Sequence, residues 1–239
     1  LPTSDAVRIE EMINYFDYNY NRAPKDKPFS INSEVAQCPW NPDNRLVRIG
    51  LQGTEVQKEE MPPNNLVFLL DVSGSMNQQN KLPLLKRSFN MMIDQLGEDD
   101  FVSIVTYAVQ TSVVMAPTSC QYKEFIKEKM DELYAHGGTN GQGGIQLAYA
   151  QAEQNLLEEG NNRILLATDG DFNIGVSDKE QLVKLIEAKR KKGIDLTVLG
   201  FGIGNINDEG MEAIANNGNG NYFYIDSDRA AQKTLVEGL

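Results

Sequence analysis

Asn65-Leu66-Val67-Phe68-Leu69-Leu70-Asp71-Val72-Ser73-Gly74-Ser75-Met76 is the stretch that decides the fold. Leu66 to Leu70 is apolar without a break, which suits a strand buried on both faces of a parallel sheet. The run ends on an acid, and the acid opens a short polar loop. In open α/β sheets ligands bind just beyond the carboxyl ends of strands. Alternate side chains of such a loop can converge on one point, so Asp71, Ser73 and Ser75 can face a single ion, and Gly74 permits the tight backbone path. One carboxylate and two hydroxyls are hard oxygen donors. They suit magnesium, manganese or calcium rather than zinc.

The pattern around this stretch repeats strand and helix. A helix is expected over about Leu82–Leu96, then a strand over Phe101–Tyr107. Thr111–Met115 reads as a short strand that can form an antiparallel edge with it. Helices follow near Lys123–Leu133 and Gly144–Glu158. Arg163-Ile164-Leu165-Leu166-Ala167-Thr168 is a second buried strand, and it too ends on an acid, Asp169. Beyond it come helix Lys179–Lys191, strand Asp195–Gly200, helix Glu209–Ala215, strand Tyr222–Ile225 and a helical segment from Arg229. Strands alternating with helices predict an α/β domain with a doubly wound, mainly parallel sheet over residues 63–239.

Residues 1–62 read differently. Ser4–Tyr20 has helical spacing with Ser4 as cap. Phe29–Val35 and Leu46–Leu51 alternate like half-buried strands, with Arg45 and Arg48 assigned to a polar face. Two strands alone are marginal, so this small helix-plus-strands unit is expected to belong to an accessory β domain. Tyr15, Tyr18 and Tyr20 read as packing for it. Gln57–Pro63 reads as a linker, and Leu1 and Leu239 read as edges of a segment cut from a longer chain.

The 239 residues carry a formal net charge of −12, which argues against nucleic acid as a partner. No apolar stretch approaches the roughly 18 residues needed to span a bilayer. Cys38 and Cys120 have no C-x-x-C spacing; one disulfide between them stays open, and a zinc or redox motif does not.

Two further loops can complete the centre at Asp71. His136-Gly137-Gly138-Thr139-Asn140 supplies a hydroxyl, and Thr168-Asp169-Gly170-Asp171 supplies a second strand-end carboxylate. Other chemistries fit less well. The Asp71 loop lacks the immediate Asp-Ser/Thr-Gly order of an aspartic protease. A phosphoacceptor aspartate would leave Ser73 and Ser75 unexplained. The glycine-rich Gly137–Gly144 has no lysine and is no Walker loop. Gly200-Phe201-Gly202-Ile203-Gly204 lacks dinucleotide spacing and reads as a tight turn. His136, the one histidine, reads as a loop residue beside the metal loop. Ser103 reads as packing, and Asp171 as either a neighbour of the centre or a solvated turn residue.

The Asp-x-Ser-x-Ser, Gly-Gly-Thr-Asn and Thr-Asp-Gly loops, in this order, resemble the von Willebrand factor type A family over roughly Asn65–Asp226. The resemblance implies a Rossmann-like fold and a metal-ion-dependent adhesion site of Asp71, Ser73, Ser75, Thr139 and Asp169. Gly74, Asn140 and Asp171 would flank it. It implies one divalent cation, magnesium before calcium or manganese, and a protein partner offering an Asp or Glu carboxylate. No catalytic residue is expected; a metal-dependent hydrolase or a structural module with a non-signalling metal site are the alternatives. Asp5–Phe16, Cys38–Pro42 and Arg48–Leu51 resemble the leader of bacterial A-domain proteins of the YfbK type. That kinship implies export to the cell envelope, periplasmic or surface, with lipid anchoring in the full length, and a further C-terminal region.

Overall fold

The computed structural model describes residues 13, 16, 18–24, 26–54, 61–139, 141–170, 179–202 and 208–236. The chain divides into two compact units between Met61 and Pro62.

In the first unit, β1 (Phe29–Gln37) pairs antiparallel with β2 (Arg45–Gly53), with Ile31 opposite Leu51 and Val35 opposite Val47. Ile31, Val35, Val47, Ile49 and Leu51 therefore share one face, and all are exposed. Arg45 and Arg48 do not share a polar face as expected. They are three residues apart in a structure of period two, so Arg48 lies on the opposite side, where it pairs with Glu34 at 2.7 Å. The Arg48 guanidinium also sits 5.0 Å from the centre of the Tyr18 ring, and Tyr18 stacks on Tyr20 with centroids 5.5 Å apart. A Cβ on Gly50 would lie 2.2 Å from the Tyr20 ring, so the glycine lets the tyrosine cross β2. These tyrosines pack, as expected, but Tyr18–Tyr20 lie outside any helix. Most of the expected helix Ser4–Tyr20, and Gln57–Glu60 of the linker, fall outside the described residues.

The second unit is the expected α/β sheet. Its strands are β3 (Asn64–Asp71), β4 (Phe101–Tyr107), β5 (Thr111–Ser119), β6 (Asn161–Thr168), β7 (Ile194–Phe201) and β8 (Tyr222–Ile225), in the order β5-β4-β3-β6-β7-β8. Only β5 runs antiparallel. It continues four residues past the expected Met115, and Pro117 is tolerated because β5 is an edge strand. The helices are α1 (Leu82–Gln95), α2 (Lys123–Asp131), α3 (Gly141–Gln154), α4 (Lys179–Arg190), α5 (Asp208–Asn217) and α6 (Asp228–Leu235).

β3 shows why its sequence is apolar without alternation. Leu66, Phe68 and Leu70 point into one core with Leu85, Phe89 and Ile93 of α1, where Phe68 meets Phe89 edge to face at 4.5 Å. Val67 and Leu69 point into the other core with Ile145 and Tyr149 of α3. The chain moves outward from β3 to β4 and β5, then returns to β6 on the far side of β3. The loops after β3 and β6 thus flank a topological switch point, the usual crevice for a ligand.

At the other end of the sheet lies a polar network that sequence reading did not find. Asn65 Nδ2 donates to Asn162 Oδ1 at 3.1 Å and to the Ala152 carbonyl at 3.0 Å. Asn162 in turn holds the backbone of Leu157 by both its N–H and its carbonyl. Cys38 and Cys120 are both buried and both free thiols, and burial pushes the Cys120 thiol up to about 12. Among the described residues no helix is long and apolar enough to cross a membrane.

Candidate metal centre

Asp71 is the last residue of β3 and is fully buried. Its Oδ1 accepts the Ser73 N–H at 2.8 Å, which curls the loop back over the strand end. Its Oδ2 accepts from the Thr168 hydroxyl at 3.4 Å, and that hydroxyl accepts the Gly170 N–H at 3.2 Å. The carboxylate is therefore oriented from both β3 and β6. Burial pushes the Asp71 carboxyl up to about 6; the Ser73 hydrogen bonds pull it down, and the charge of Asp169 adds to the rise. The Tyr107 phenol, buried beneath the loop, is raised well above its usual range by burial and then by Asp71.

The Ser73 and Ser75 hydroxyls meet at 3.0 Å. Ser73 is buried, whereas Ser75 is open to solvent, so the pair spans the rim of the crevice. A single 3-10 turn, Gly74–Met76, carries Ser75 there. Gly74 does not have a positive φ. A Cβ here would stand 3.2 Å from the Gly137 carbonyl oxygen, so the two loops pass closely at this glycine.

That carbonyl belongs to the loop carrying Thr139. The Gly74 N–H donates to it at 2.9 Å, and the His136 N–H donates to the Val72 carbonyl at 2.7 Å. The two bonds stitch the 136–139 segment alongside the Asp71 loop and bring half-buried Thr139 into the same loop cluster. Gly137 has φ +68°, and a Cβ there would meet Val109 Cγ2 at 2.6 Å. His136 is a loop residue beside the centre: its Nδ1 lies 3.1 Å from the Tyr134 carbonyl and its ring 5.0 Å from the Tyr134 ring.

Asp169, the first residue past β6, is buried. Its Oδ2 accepts from Lys81 Nζ at 2.8 Å. Lys81 immediately precedes α1, and its stem passes over Gly202 at the end of β7. Sequence reading missed both Lys81 and Thr168. Thr168 could have been suspected from its place beside Asp169; a single lysine after Asn80 carries no local signal. Asn140 and Asp171 lie outside the described residues. Among those described, no group of three His, Cys, Asp or Glu side chains gathers to hold a metal.

The comparisons with known proteins agree with this architecture. The profile of the von Willebrand factor type A domain matches residues 65–238, and a second von Willebrand factor profile matches residues 1–48. The uncharacterized protein YfbK of Escherichia coli (strain K12) is 41% identical over 242 residues, covering 98% of this chain and 42% of that protein. The chain thus spans less than half the length of this curated relative. The crystal structure of the conserved hypothetical protein BatB from Bacteroides thetaiotaomicron superposes with a TM-score of 0.61 at 22% identity, over 73% of this chain and 96% of that one. Proximal thread matrix protein 1 from the mussel byssus, described with a zinc-occupied MIDAS motif, superposes at 0.59 with 23% identity, over 74% of this chain and 45% of that one. With a mainly parallel sheet, an acid at the end of β3 and another just past β6, and a profile match across nearly all of the second unit, this chain belongs to the von Willebrand factor type A domain family.

Proposed function

We propose that the chain is a divalent-metal-dependent protein-binding module in which Asp71, Ser73, Ser75, Thr139 and Asp169 hold one cation and a partner's Asp or Glu carboxylate completes the site. The observation that carries this is the 3.0 Å separation of the Ser73 and Ser75 hydroxyl oxygens. Octahedral ligands about 2.1 Å from magnesium stand roughly 3.0 Å from their neighbours. The all-oxygen donor set fits magnesium first, with calcium or manganese as alternatives. The zinc in the similar mussel protein's MIDAS motif supports a divalent ion at a site of this kind.

A bound dication supplies an electrophilic position for a carboxylate. The chain's own residues keep it so. Ser73, Ser75 and Thr139 are neutral donors, and two aspartates are the only anionic ones proposed. Thr168 and the Ser73 amide fix the Asp71 carboxylate in one orientation. Gly74, Asn140 and Asp171 flank the donors in sequence. No hydrolytic role is proposed: the His136 ring lies against Tyr134, and His136 meets the Asp71 loop through its backbone N–H. Residues 1–62 are read as part of an accessory β domain, supported by the exposed apolar face of Ile31, Val35, Val47, Ile49 and Leu51, which two strands cannot bury. The likeness to YfbK-type proteins supports export to the cell envelope, with lipid anchoring in the full length.

Calorimetry with Mg²⁺, Mn²⁺ and Ca²⁺ tests the site. Wild type gives metal-dependent heat and Asp71→Ala gives none. Absence of heat in wild type for all three ions overturns the reading. Chelator-sensitive capture of a partner from envelope extract then separates a binding module from an inert metal site.

A further inference from the structure

We propose that Lys81 sets the charge of the metal centre: its ammonium, held on Asp169, lowers the site's affinity for the dication and raises the loaded site's attraction for a carboxylate. This rests on the metal-binding reading above. Lys81 Nζ is 2.8 Å from Asp169 Oδ2, with side chains 13% and 3% exposed. Water and salt screen such a pair far less than a surface one.

The lysine is built into place. Its N–H donates to the Gln78 carbonyl at 2.9 Å, and its carbonyl accepts from Leu85 N–H at 2.8 Å as α1 begins. Its stem runs over Gly202, which has φ +101°, and a Cβ there would lie 2.7 Å from Lys81 Cε. The end of β7 thus leaves a side-chain-free slot for the stem. The ammonium reaches a strand-end carboxylate on β6 from the turn that closes the Asp71 loop.

The consequence is electrostatic. Among the described residues Asp71 and Asp169 would alone present two negative charges, and Lys81 reduces the sum to one. A site with one net negative charge holds a dication less tightly, and once loaded it stays net positive rather than neutral. A positive site attracts a partner's carboxylate; a neutral one attracts it weakly. A residue that only shaped the loop would lower metal affinity when removed. Removal of Lys81 raises it.

Calorimetric titration of Mg²⁺ into wild type, Lys81→Met and Gly202→Ala tests this, with acetate titrated into each magnesium-loaded protein and followed by NMR. Lys81→Met binds Mg²⁺ roughly tenfold tighter or more, and its loaded form binds acetate more weakly than wild type. Gly202→Ala, which crowds the stem while keeping the lysine, moves both constants the same way by less. In chelator Lys81→Met melts lower than wild type, because Asp169 loses its counter-charge, and Mg²⁺ raises its melting temperature by more. If Lys81→Met does not fold, Lys81→Gln is read by the same criteria. Equal or weaker Mg²⁺ binding in the neutral variant overturns the role of Lys81 while leaving the metal site standing. No metal-dependent heat in either wild type or variant overturns the metal site itself.

Discussion

The Gly74 amide donates to the Gly137 carbonyl at 2.9 Å, so the loop bearing Ser73 and Ser75 is pinned to the loop bearing Thr139 by backbone alone. A methyl group at position 74 would stand 3.2 Å from that oxygen. The carbonyl must then retreat by a few tenths of an ångström, and the hydroxyl of Thr139 moves with it. Gly74→Ala is expected to weaken Mg²⁺ binding about fivefold or more, the equivalent of about 1 kcal/mol. The fold itself should hold, because Gly74 sits in an exposed turn with ordinary φ. Calorimetry beside a melting curve checks both; a large fall in melting temperature with unchanged metal affinity would contradict the pinning role.

Folding raises the Asp71 carboxyl from 3.8 to about 6, mainly through burial. A carboxyl raised by folding holds its proton more tightly in the fold than in the unfolded chain. The metal-free protein therefore loses stability as pH climbs from about 4 to 6, by up to about 3 kcal/mol above that window. Asp71→Asn keeps an acceptor for the Ser73 amide and removes the buried charge. In chelator at pH 7 it should resist urea better than wild type, with the difference closing near pH 4. Added Mg²⁺ should stabilise wild type and leave Asp71→Asn unchanged. Urea titrations at the two pH values decide it; a variant weaker than wild type at pH 7 in chelator rules out a net cost for the buried carboxylate.

At the opposite end of the sheet, Asn162 joins Asn65 on β3 to the Leu157 turn before β6 through one acceptor and one donor arm. Truncation leaves the Leu157 N–H without its acceptor and takes one partner each from the buried Asn65 amide, which keeps the Ala152 carbonyl, and the Leu157 carbonyl, which keeps the Gly160 N–H. Asn162→Ala should lose about 1–3 kcal/mol of stability and leave Mg²⁺ affinity within twofold of wild type. Chemical denaturation and calorimetry on one preparation test the separation. A matching loss of metal binding would mean that this end of the sheet and the crevice are coupled.

Much of the scaffold was legible because its causes are local. Leu66–Leu70 and Ile164–Ala167 are apolar at every position, as a strand covered on both faces requires, and an acid follows each, directly at Asp71 and after Thr168 at Asp169. Element ends drifted where tertiary contacts decide them. β5 runs on to Ser119 because β4 continues to offer it partners as far as Phe101. Tyr18 and Tyr20 left the expected helix to stack over β2 at Gly50. Arg45 and Arg48 were placed on one face, although strand periodicity separates them.

The sequence by itself determined which atoms are available: strand-end carboxylates at Asp71 and Asp169, hydroxyls at Ser73, Ser75 and Thr139, and glycines where loops must pass closely. Residue type and spacing suffice for that, since they dictate chemistry and local backbone path. Only the tertiary structure decided what surrounds those atoms. Lys81 reaches Asp169 across 88 positions of chain, Thr168 steadies Asp71 from the neighbouring strand, and Gly137 fastens the third loop. Charge balance and burial depend on distances between segments remote in sequence, and the sheet's switch point between β3 and β6 is what brings those segments together.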